Sequence, residues 1–181
     1  FKSNFLFNGN EISVVEADEY DRSFLNLSPN WAAITSIDAA HLDIYGDKET
    51  IEKGFRDFAD LVPESDQLFI RKGIQIGRAA KTYAVNEEAD FYSDNIREIG
   101  DKIYFDFHTP TQEIEDFVWE IPGIHNVENA TVAIAILNNL GVDFETLKSG
   151  IANFKGIKRR YTKHNFDSGK IYIDDYAHHP T

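Results

Sequence analysis

A cluster of carboxylates directly follows an apolar run near the start of the sequence. In VVEADEYD, residues 14–21, two valines lead into Glu16, Asp18, Glu19 and Asp21. Carboxylate oxygens are the ligands that Mg²⁺ prefers, and protein-bound Mg²⁺ is commonly shared with substrate phosphates. Acids in this arrangement also occur in the first turn of a helix, where they need no ligand. The stretch indicates either a divalent-metal site or a helix start.

A histidine follows the next apolar run. His41 stands in DAAHLDIYG, residues 38–46, with Asp38 and Asp43 beside it. A neutral imidazole can bind a metal or hydrogen-bond a bound phosphate, although a single histidine is more often structural. Together with Glu16, His41 forms a set that suits a hard divalent cation.

Two asparagines stand at a spacing of three in GIHNVENA, residues 123–130, which has the form of a glycine-led turn into a long helix. That spacing sets Asn126 and Asn129 on one side of the first turn. An asparagine amide can pair with the edge of an adenine. Asn126 could instead cap the helix, which requires no ligand. The spacing alone leaves both interpretations open.

Basic residues are concentrated in one short segment, although the net charge of the chain is −13. The segment holds five of the 18 basic residues in nine positions, with no acid among them: Lys155, Lys158, Arg159, Arg160 and Lys163. It is either a solvated loop or an anion site, where arginine can bind a phosphate or carboxylate through two hydrogen bonds. The acidity of the rest argues against nucleic acid and anionic lipid as partners.

Strands and helices that alternate along the chain must position these residues. Apolar runs predict strands at 11–17, 31–37, 67–71 and 170–175, the first two of them buried. Spacings of three and four predict helices at 48–62, 126–140 and 143–154. Between about 72 and 120 the strands are short and aromatic, as in KIYFDFH, which predicts an antiparallel part.

This order of elements predicts an α/β fold, in which a mostly parallel sheet is flanked by helices and carries a small antiparallel β subdomain. Ligands of such sheets bind at the carboxyl ends of the strands. Three pairs of polar residues follow predicted strands: Glu16 and Asp18, His41 and Asp43, and Asp174 and Asp175. We therefore expect them to meet at one edge of the sheet.

Composition bounds the remaining possibilities. The 181 residues are enough for one domain with a real core, and a hydrophobic content of 42% argues against disorder. The chain has no cysteine, which excludes disulfides and thiolate chemistry. No apolar run approaches the ~20 residues of a membrane span, so we expect no membrane insertion. We expect a monomer or a weak dimer.

Four segments resemble the Mur ligase family in order: VVEADEYDRSFL, ITSIDAAHLDIYG, GIHNVENATVAIA with KGIKRRY downstream, and IDDYAHHPT. The resemblance covers nearly the whole chain and implies the family's central, ATP-binding domain, which is P-loop NTPase-like. It implies ATP and Mg²⁺ as cofactors, in a reaction that joins an amino acid to a UDP-sugar carboxylate through an acyl phosphate. It is strongest for the branch that adds L-alanine to UDP-N-acetylmuramate during peptidoglycan precursor synthesis in the bacterial cytoplasm.

The resemblance also implies roles for individual residues. Glu16 matches the family's Mg²⁺-binding glutamate, and His41 matches its second-metal histidine. The adenine would face Asn126 and Asn129, with His125 beside them. Arg160 lies in the family's Arg-Arg-Phe/Tyr motif near the phosphates, so that Glu16, His41 and Arg160 form the implied catalytic set. Asp175 matches the acid near the ribose.

Two departures from the family pattern stand out. The P-loop, of the type Gly-Thr-His-Gly-Lys-Thr, is absent and is expected upstream of Phe1. We expect the UDP-binding and C-terminal domains to lie outside this chain as well, so that the chain alone is inactive and binds ATP weakly. Ala40 stands where the family usually carries an aspartate beside the histidine, which weakens the second metal site if that aspartate orients the imidazole.

Three alternatives stay open. A ligase that attaches a preformed tripeptide to the same UDP-sugar shares the EADEYD pattern. Folylpolyglutamate synthetase is a more distant relative that lacks the terminal HHPT pattern. The third alternative is a non-catalytic module that binds a metal ion or a nucleotide.

Overall fold

A computed structural model describes residues 12–37, 45 and 47–176. Six strands form one sheet in sequential order: β1 (Ala32–Ile34), β2 (Leu68–Arg71), β3 (Lys81–Val85), β4 (Phe91–Ile99), β5 (Lys102–His108) and β6 (Glu113–Trp119). Strands β1 to β4 are parallel, and the pairs β4–β5 and β5–β6 are antiparallel. A separate antiparallel pair consists of β7 (Thr162–Asn165) and β8 (Ile171–Asp174).

Three α-helices accompany the sheet in the described ranges: α1 (Lys48–Asp60), α2 (Ile124–Asn139) and α3 (Phe144–Asn153). Asp47 and Asp143 cap α1 and α3, since each side chain accepts a hydrogen bond from the backbone N–H three residues later. Short 3₁₀ turns occupy Tyr20–Asn26 and Ser65–Gln67. None of the helices in the part of the chain described is long and apolar enough to cross a membrane.

The predicted fold class is confirmed: the sheet is mixed and mostly parallel, helices flank it, and antiparallel pairs complete it. Strand β2 explains the layering, because its residues are buried on both faces. Leu68 and Ile70 belong to the core cluster that contains Phe58 of α1, whereas Phe69 belongs to the cluster that contains Val127 of α2. A continuous apolar run therefore marks a strand covered on both sides.

The predicted buried strand at 11–17 is wrong for the described residues 12–17. They form no strand, and the side chains of Val14 and Val15 are 94% and 62% exposed. An apolar run becomes a strand only where a neighbour pairs with its backbone, and no described strand pairs with this one. Glu16 therefore follows a segment without regular secondary structure, not the end of a strand in the sheet.

The prediction that Asp174 and Asp175 follow a strand of the main sheet is also wrong. The strand exists as β8, but it pairs only with β7, in the small sheet. Its apolar residues Ile171 and Ile173 are exposed, so the run was not a sign of burial.

Two hydrogen bonds fix the direction of α2 on the sheet. Arg71, the last residue of β2, donates from Nε to Glu128 Oε1 in the second turn of the helix over 2.9 Å. Lys81, the first residue of β3, donates from Nζ to Asn139 Oδ1 at the far end over 2.6 Å. Helix α2 therefore runs antiparallel to the parallel strands, and its first turn lies at their carboxyl ends.

Candidate functional site

The candidate site occupies the carboxyl edge of the parallel strands, where α2 begins. Strand β6 ends at this edge with Trp119, and a short connection leads to Gly123, the residue before the helix. Gly123 has a φ of +100°, which favours glycine, and an added Cβ would lie 2.6 Å from Cε1 of His125. The glycine thus lets the exposed imidazole of His125 fold back against the start of the helix.

The two asparagines differ in what they contact. The amide Nδ2 of Asn126 donates to the carbonyl oxygen of Pro122 over 2.7 Å. Gly123, not Asn126, occupies the N-cap position, so the capping interpretation of Asn126 is wrong. Asn129 is exposed, and its side chain makes no hydrogen bond within the described ranges. Its amide is therefore available to a ligand at the carboxyl edge.

A buried phenol lies close to the Arg71–Glu128 pair. Tyr83 of β3 is fully buried, and its hydroxyl has no hydrogen-bond partner among the described residues. Burial raises the pKa of Tyr83, the negative charge of Glu128 raises it further, and Arg71 opposes both. The phenol therefore stays protonated, and an uncharged side chain lies behind the first turns of α2.

Sequence reasoning missed Arg71 and Glu128. Their contact joins residues 57 positions apart, so no local spacing signals it. The one available signal was the position of Glu128 between two candidate ligand asparagines, in HNVEN. An acid there disfavours an anionic ligand unless a cation neutralises it, and Arg71 supplies that charge.

A cavity of about 630 Å³ opens at the connection that leads from β6 into α2. Three segments line it: the β4–β5 turn, the β6–α2 connection and the basic segment, residues 155–163. The lining includes Lys102, Glu120, Ile121, Pro122, Lys155 and Arg160. Apolar and charged groups therefore meet in one cavity, which is a property of small-molecule sites.

Glu120 ties the basic segment to the sheet. Its carboxylate accepts a hydrogen bond of 2.8 Å from Lys155 Nζ and lies 3.6 Å from Lys102 Nζ. The hydrogen bond and the charge of Lys155 lower the pKa of Glu120, and Lys102 lowers it further. The two lysines share one carboxylate, and the whole cavity lining carries four basic and three acidic side chains.

Arg160 and Asp175 reach the same region from different elements. Arg160 is exposed and lines the cavity. The backbone N–H of Tyr176 donates to the carbonyl of Arg159 over 2.8 Å, so the residue after Asp175 is bonded to the residue before Arg160. His125, Asn126 and Asn129 therefore lie at the start of α2, and Arg160 lines the cavity at the connection before that helix, with Asp175 linked to Arg160 through their chain neighbours.

Of the two predicted metal ligands only Glu16 lies in the described ranges, and no hydrogen bond or ion pair there connects it to this group. Glu16 is exposed, and His41 lies outside the described residues. The described residues contain no group of three or more histidines or acids that could hold a metal ion. Glu16 and His41 as metal ligands, and Ala40 as a weakening change, therefore stay predictions.

Comparison with known proteins gives a family. The profile described as Mur ligase middle domain matches residues 3–137. A UDP-N-acetylmuramate–L-alanine ligase of Christiangramia forsetii is 45% identical over 180 residues, which are 99% of this chain and 39% of that protein. The ligase of the same name from Flavobacterium psychrophilum is 43% identical, over 100% of this chain and 40% of that protein. The chain thus spans about 40% of the length of these curated relatives.

Solved structures support the fold. UDP-N-acetylmuramate–alanine ligase from Thermotoga maritima superposes with a TM-score of 0.78 at 23% identity, over 91% of this chain and 38% of that one. MurF ligase from Thermotoga maritima in complex with ADP gives a TM-score of 0.63 at 14% identity, over 81% of this chain and 35% of that one. At these identities the likeness concerns the fold alone.

Proposed function

The chain belongs to the Mur ligase family, and we propose that it forms most of the ATP-binding middle domain of a longer ligase. The ligase would add L-alanine to UDP-N-acetylmuramate during the synthesis of peptidoglycan precursors. Relatives at 45% and 43% identity carry that activity in their names. The observation that carries the proposal is that the basic segment and the connection leading into α2 line one cavity at the carboxyl edge.

ATP fits the residues at this edge. The amide of Asn129 is available to the edge of an adenine, and Asn126, half-buried beside it, is held in place by Pro122. The exposed imidazole of His125 lies next to both. A cavity of about 630 Å³ is within the range of small-molecule sites. When bound, ATP would supply the phosphoryl group that activates a substrate carboxylate for attack by an amine.

The basic segment would hold the phosphates. An arginine guanidinium can bind a phosphate through two parallel hydrogen bonds, and we assign this role to Arg160. Lys155 keeps a fixed position because it is bonded to Glu120. Asp175 would accept hydrogen bonds from ribose hydroxyls. Local positive charge is needed here, because a chain of net charge −13 repels a polyphosphate elsewhere.

Mg²⁺ completes the proposal. We assign Glu16 to Mg²⁺ and His41 to a second metal ion, since carboxylate and imidazole groups suit divalent cations. A bound cation would neutralise charge between the phosphates and the acids at residues 16–21. Because the reaction draws on ATP and the relatives are bacterial, we place the protein in the bacterial cytoplasm, as a monomer or weak dimer.

Product formation by the full-length protein tests this proposal. With ATP, Mg²⁺ and UDP-N-acetylmuramate, we expect ADP release that requires L-alanine and is absent with the other single amino acids. Release with a preformed tripeptide, and with no single amino acid, would assign the protein to the tripeptide-adding branch. No release under any condition would leave a metal- or nucleotide-binding module and overturn the proposal.

A further inference from the structure

Arg159 and Tyr176 are joined twice. The backbone N–H of Tyr176 donates to the carbonyl oxygen of Arg159 over 2.8 Å. The guanidinium carbon of Arg159 also lies 4.7 Å from the centre of the Tyr176 ring. For comparison, the pair Arg22 and Tyr45 is separated by 5.5 Å. One residue pair therefore links the basic segment to the segment after β8 through both main chain and side chain.

The backbone around Arg160 is held in an uncommon conformation. Arg159 and Tyr161, on either side of it, have φ angles of +63° and +55°. Residues other than glycine rarely adopt positive φ angles, and such conformations persist where the surrounding structure imposes them. Two bonds impose it here: the Arg159 N–H donates to Thr162 Oγ1 over 2.9 Å, and the Arg160 N–H donates to the Ile157 carbonyl over 3.2 Å.

The side chains of Arg159 and Arg160 have different surroundings. Arg160 and Tyr161 line the cavity, whereas Arg159 does not. The face of the Arg159 guanidinium is instead engaged with the Tyr176 ring, where a cation is attracted by the π electrons. The side chain of Arg159 is thus committed to a protein contact, and its immediate neighbour is left to face the cavity.

We propose that Arg159 is a positioning residue: by stacking on Tyr176 it fixes Arg160 relative to Asp175, so that both reach the same nucleotide. This inference rests on the proposed function, in which Arg160 binds phosphates and Asp175 binds the ribose. Each of these residues is the direct chain neighbour of one member of the stacked pair. Loss of the stack would let Arg160 and Asp175 move independently, although both side chains would still be present.

Substitutions in the full-length protein test the stack through ATP affinity, measured by calorimetry. Arg159→Met removes the charge and Tyr176→Leu removes the ring, and each is expected to weaken ATP binding roughly two- to fivefold, the range of an exposed cation–π contact. Tyr176→Phe keeps the ring and should bind as wild type. Tyr172→Leu is the matched control, because Tyr172 on β8 is 56% exposed and Tyr176 is 55% exposed.

A second readout does not depend on nucleotide. Hydrogen exchange of the Tyr176 amide should be faster in Arg159→Met than in wild type, because the stack protects the bond to the Arg159 carbonyl. Arg159→Lys keeps the charge without the planar face and should fall between the two. It also serves if the methionine variant does not fold.

The combined variant decides between a shared and an independent effect. Arg159→Met with Tyr176→Leu should bind ATP no more weakly than the weaker of the two single variants. Additive losses, unchanged amide exchange, or an equal loss in Tyr172→Leu would overturn the inference. A wild-type protein that binds no ATP would overturn the proposed function itself, whereas tight binding by wild type and Arg159→Met alike would overturn the positioning role alone.

Discussion

Arg71 and Glu128 connect the carboxyl end of β2 to the second turn of α2 through a hydrogen bond of 2.9 Å. Glu128 stands between Asn126 and Asn129 in the sequence. The bond therefore fixes the rotation of α2 about its own axis, and with it the direction in which both asparagines face. The pair is partly exposed, with half of the Arg71 side chain accessible. Its contribution therefore concerns the position of the helix start more than stability.

Arg71→Gln should weaken ATP binding more than it weakens the fold. A partly exposed ion pair contributes at most about 1 kcal/mol to the free energy of unfolding, because water screens it. Removing it leaves Glu128 without its cation beside the asparagines proposed to face adenine and releases the start of α2, which we expect to lower ATP affinity by roughly tenfold. Calorimetry with ATP and urea unfolding measure the two effects. The control is Lys53→Gln, which breaks the exposed Lys53–Asp57 pair on α1 and should leave ATP affinity unchanged.

Thr131→Val should destabilise the protein more than the double change Thr131→Val with Ser93→Ala. The two hydroxyls are buried and lie 2.7 Å apart between β4 and α2, and Thr131 also donates to the Val127 carbonyl. The single change strands the Ser93 hydroxyl, at a cost of about 1–3 kcal/mol, whereas removing both hydroxyls is close to neutral. Urea unfolding at neutral pH checks the order. Equal costs for the single and double variants would contradict the pairing.

Asp106 should make stability depend on acid pH. Burial raises its pKa, but hydrogen bonds from the Asp116 N–H, the Asn95 amide and the Arg97 guanidinium outweigh burial, so that the pKa of the folded state lies below the usual value. The unfolded chain then binds the proton more tightly, and stability falls as pH drops through and below about 4. Above that pH the contribution is complete.

Asp106→Asn tests this dependence. The asparagine would set its amide against the Asn95 amide, which now donates over 2.5 Å, so we expect a loss of about 1–3 kcal/mol at pH 7. The loss should shrink as pH is lowered toward 3, because the wild type loses its own advantage there. Unfolding curves across pH 3–7 measure it, with Asp101→Asn in the exposed β4–β5 turn as the control. A loss independent of pH would be the contrary result.

Gly123→Ala should perturb His125 as well as the backbone. An added Cβ would meet His125 Cε1 at 2.6 Å and Nδ1 at 3.0 Å, so the imidazole must move. Gly141 at the other end of α2 also has a positive φ, of +90°, but an added Cβ there meets nothing within 4 Å. Gly141→Ala thus carries the conformational cost of about 1 kcal/mol without the clash. We expect weaker ATP binding only in Gly123→Ala, measured by calorimetry.

Much of the architecture could be predicted because local pattern and burial agree. Leu68, Phe69 and Ile70 form a continuous apolar run and are all buried in β2. In α2, Val127, Ala130 and Ile134 recur at helical spacing and face the core. In both elements the spacing of the apolar residues along the sequence is enough to indicate the secondary structure, without knowledge of distant contacts.

The failures occur where a partner decides the outcome. Val14 and Val15 are as apolar as the residues of β2, yet they stay exposed, because strand formation depends on a neighbouring strand. The same argument applies to Ile171 and Ile173 of β8. Gly123 occupies the N-cap position of α2, and the side chain of Asn126 instead donates to the Pro122 carbonyl. The Arg71–Glu128 bond depends on tertiary packing alone. Residue type indicated candidate ligand groups, whereas their neighbours in space depend on the fold.

The most direct measurement is the affinity of the full-length protein for ATP in the wild type, Asn129→Ala and Asn138→Ala. The two asparagines lie on the same helix, one at its start and one near its end. If α2 presents its first two turns to adenine, Asn129→Ala should weaken binding by roughly tenfold or more, since a good amide–base pair is worth about 1–3 kcal/mol, and Asn138→Ala should not change it. Equal affinities in all three proteins would contradict a nucleotide site at the start of α2.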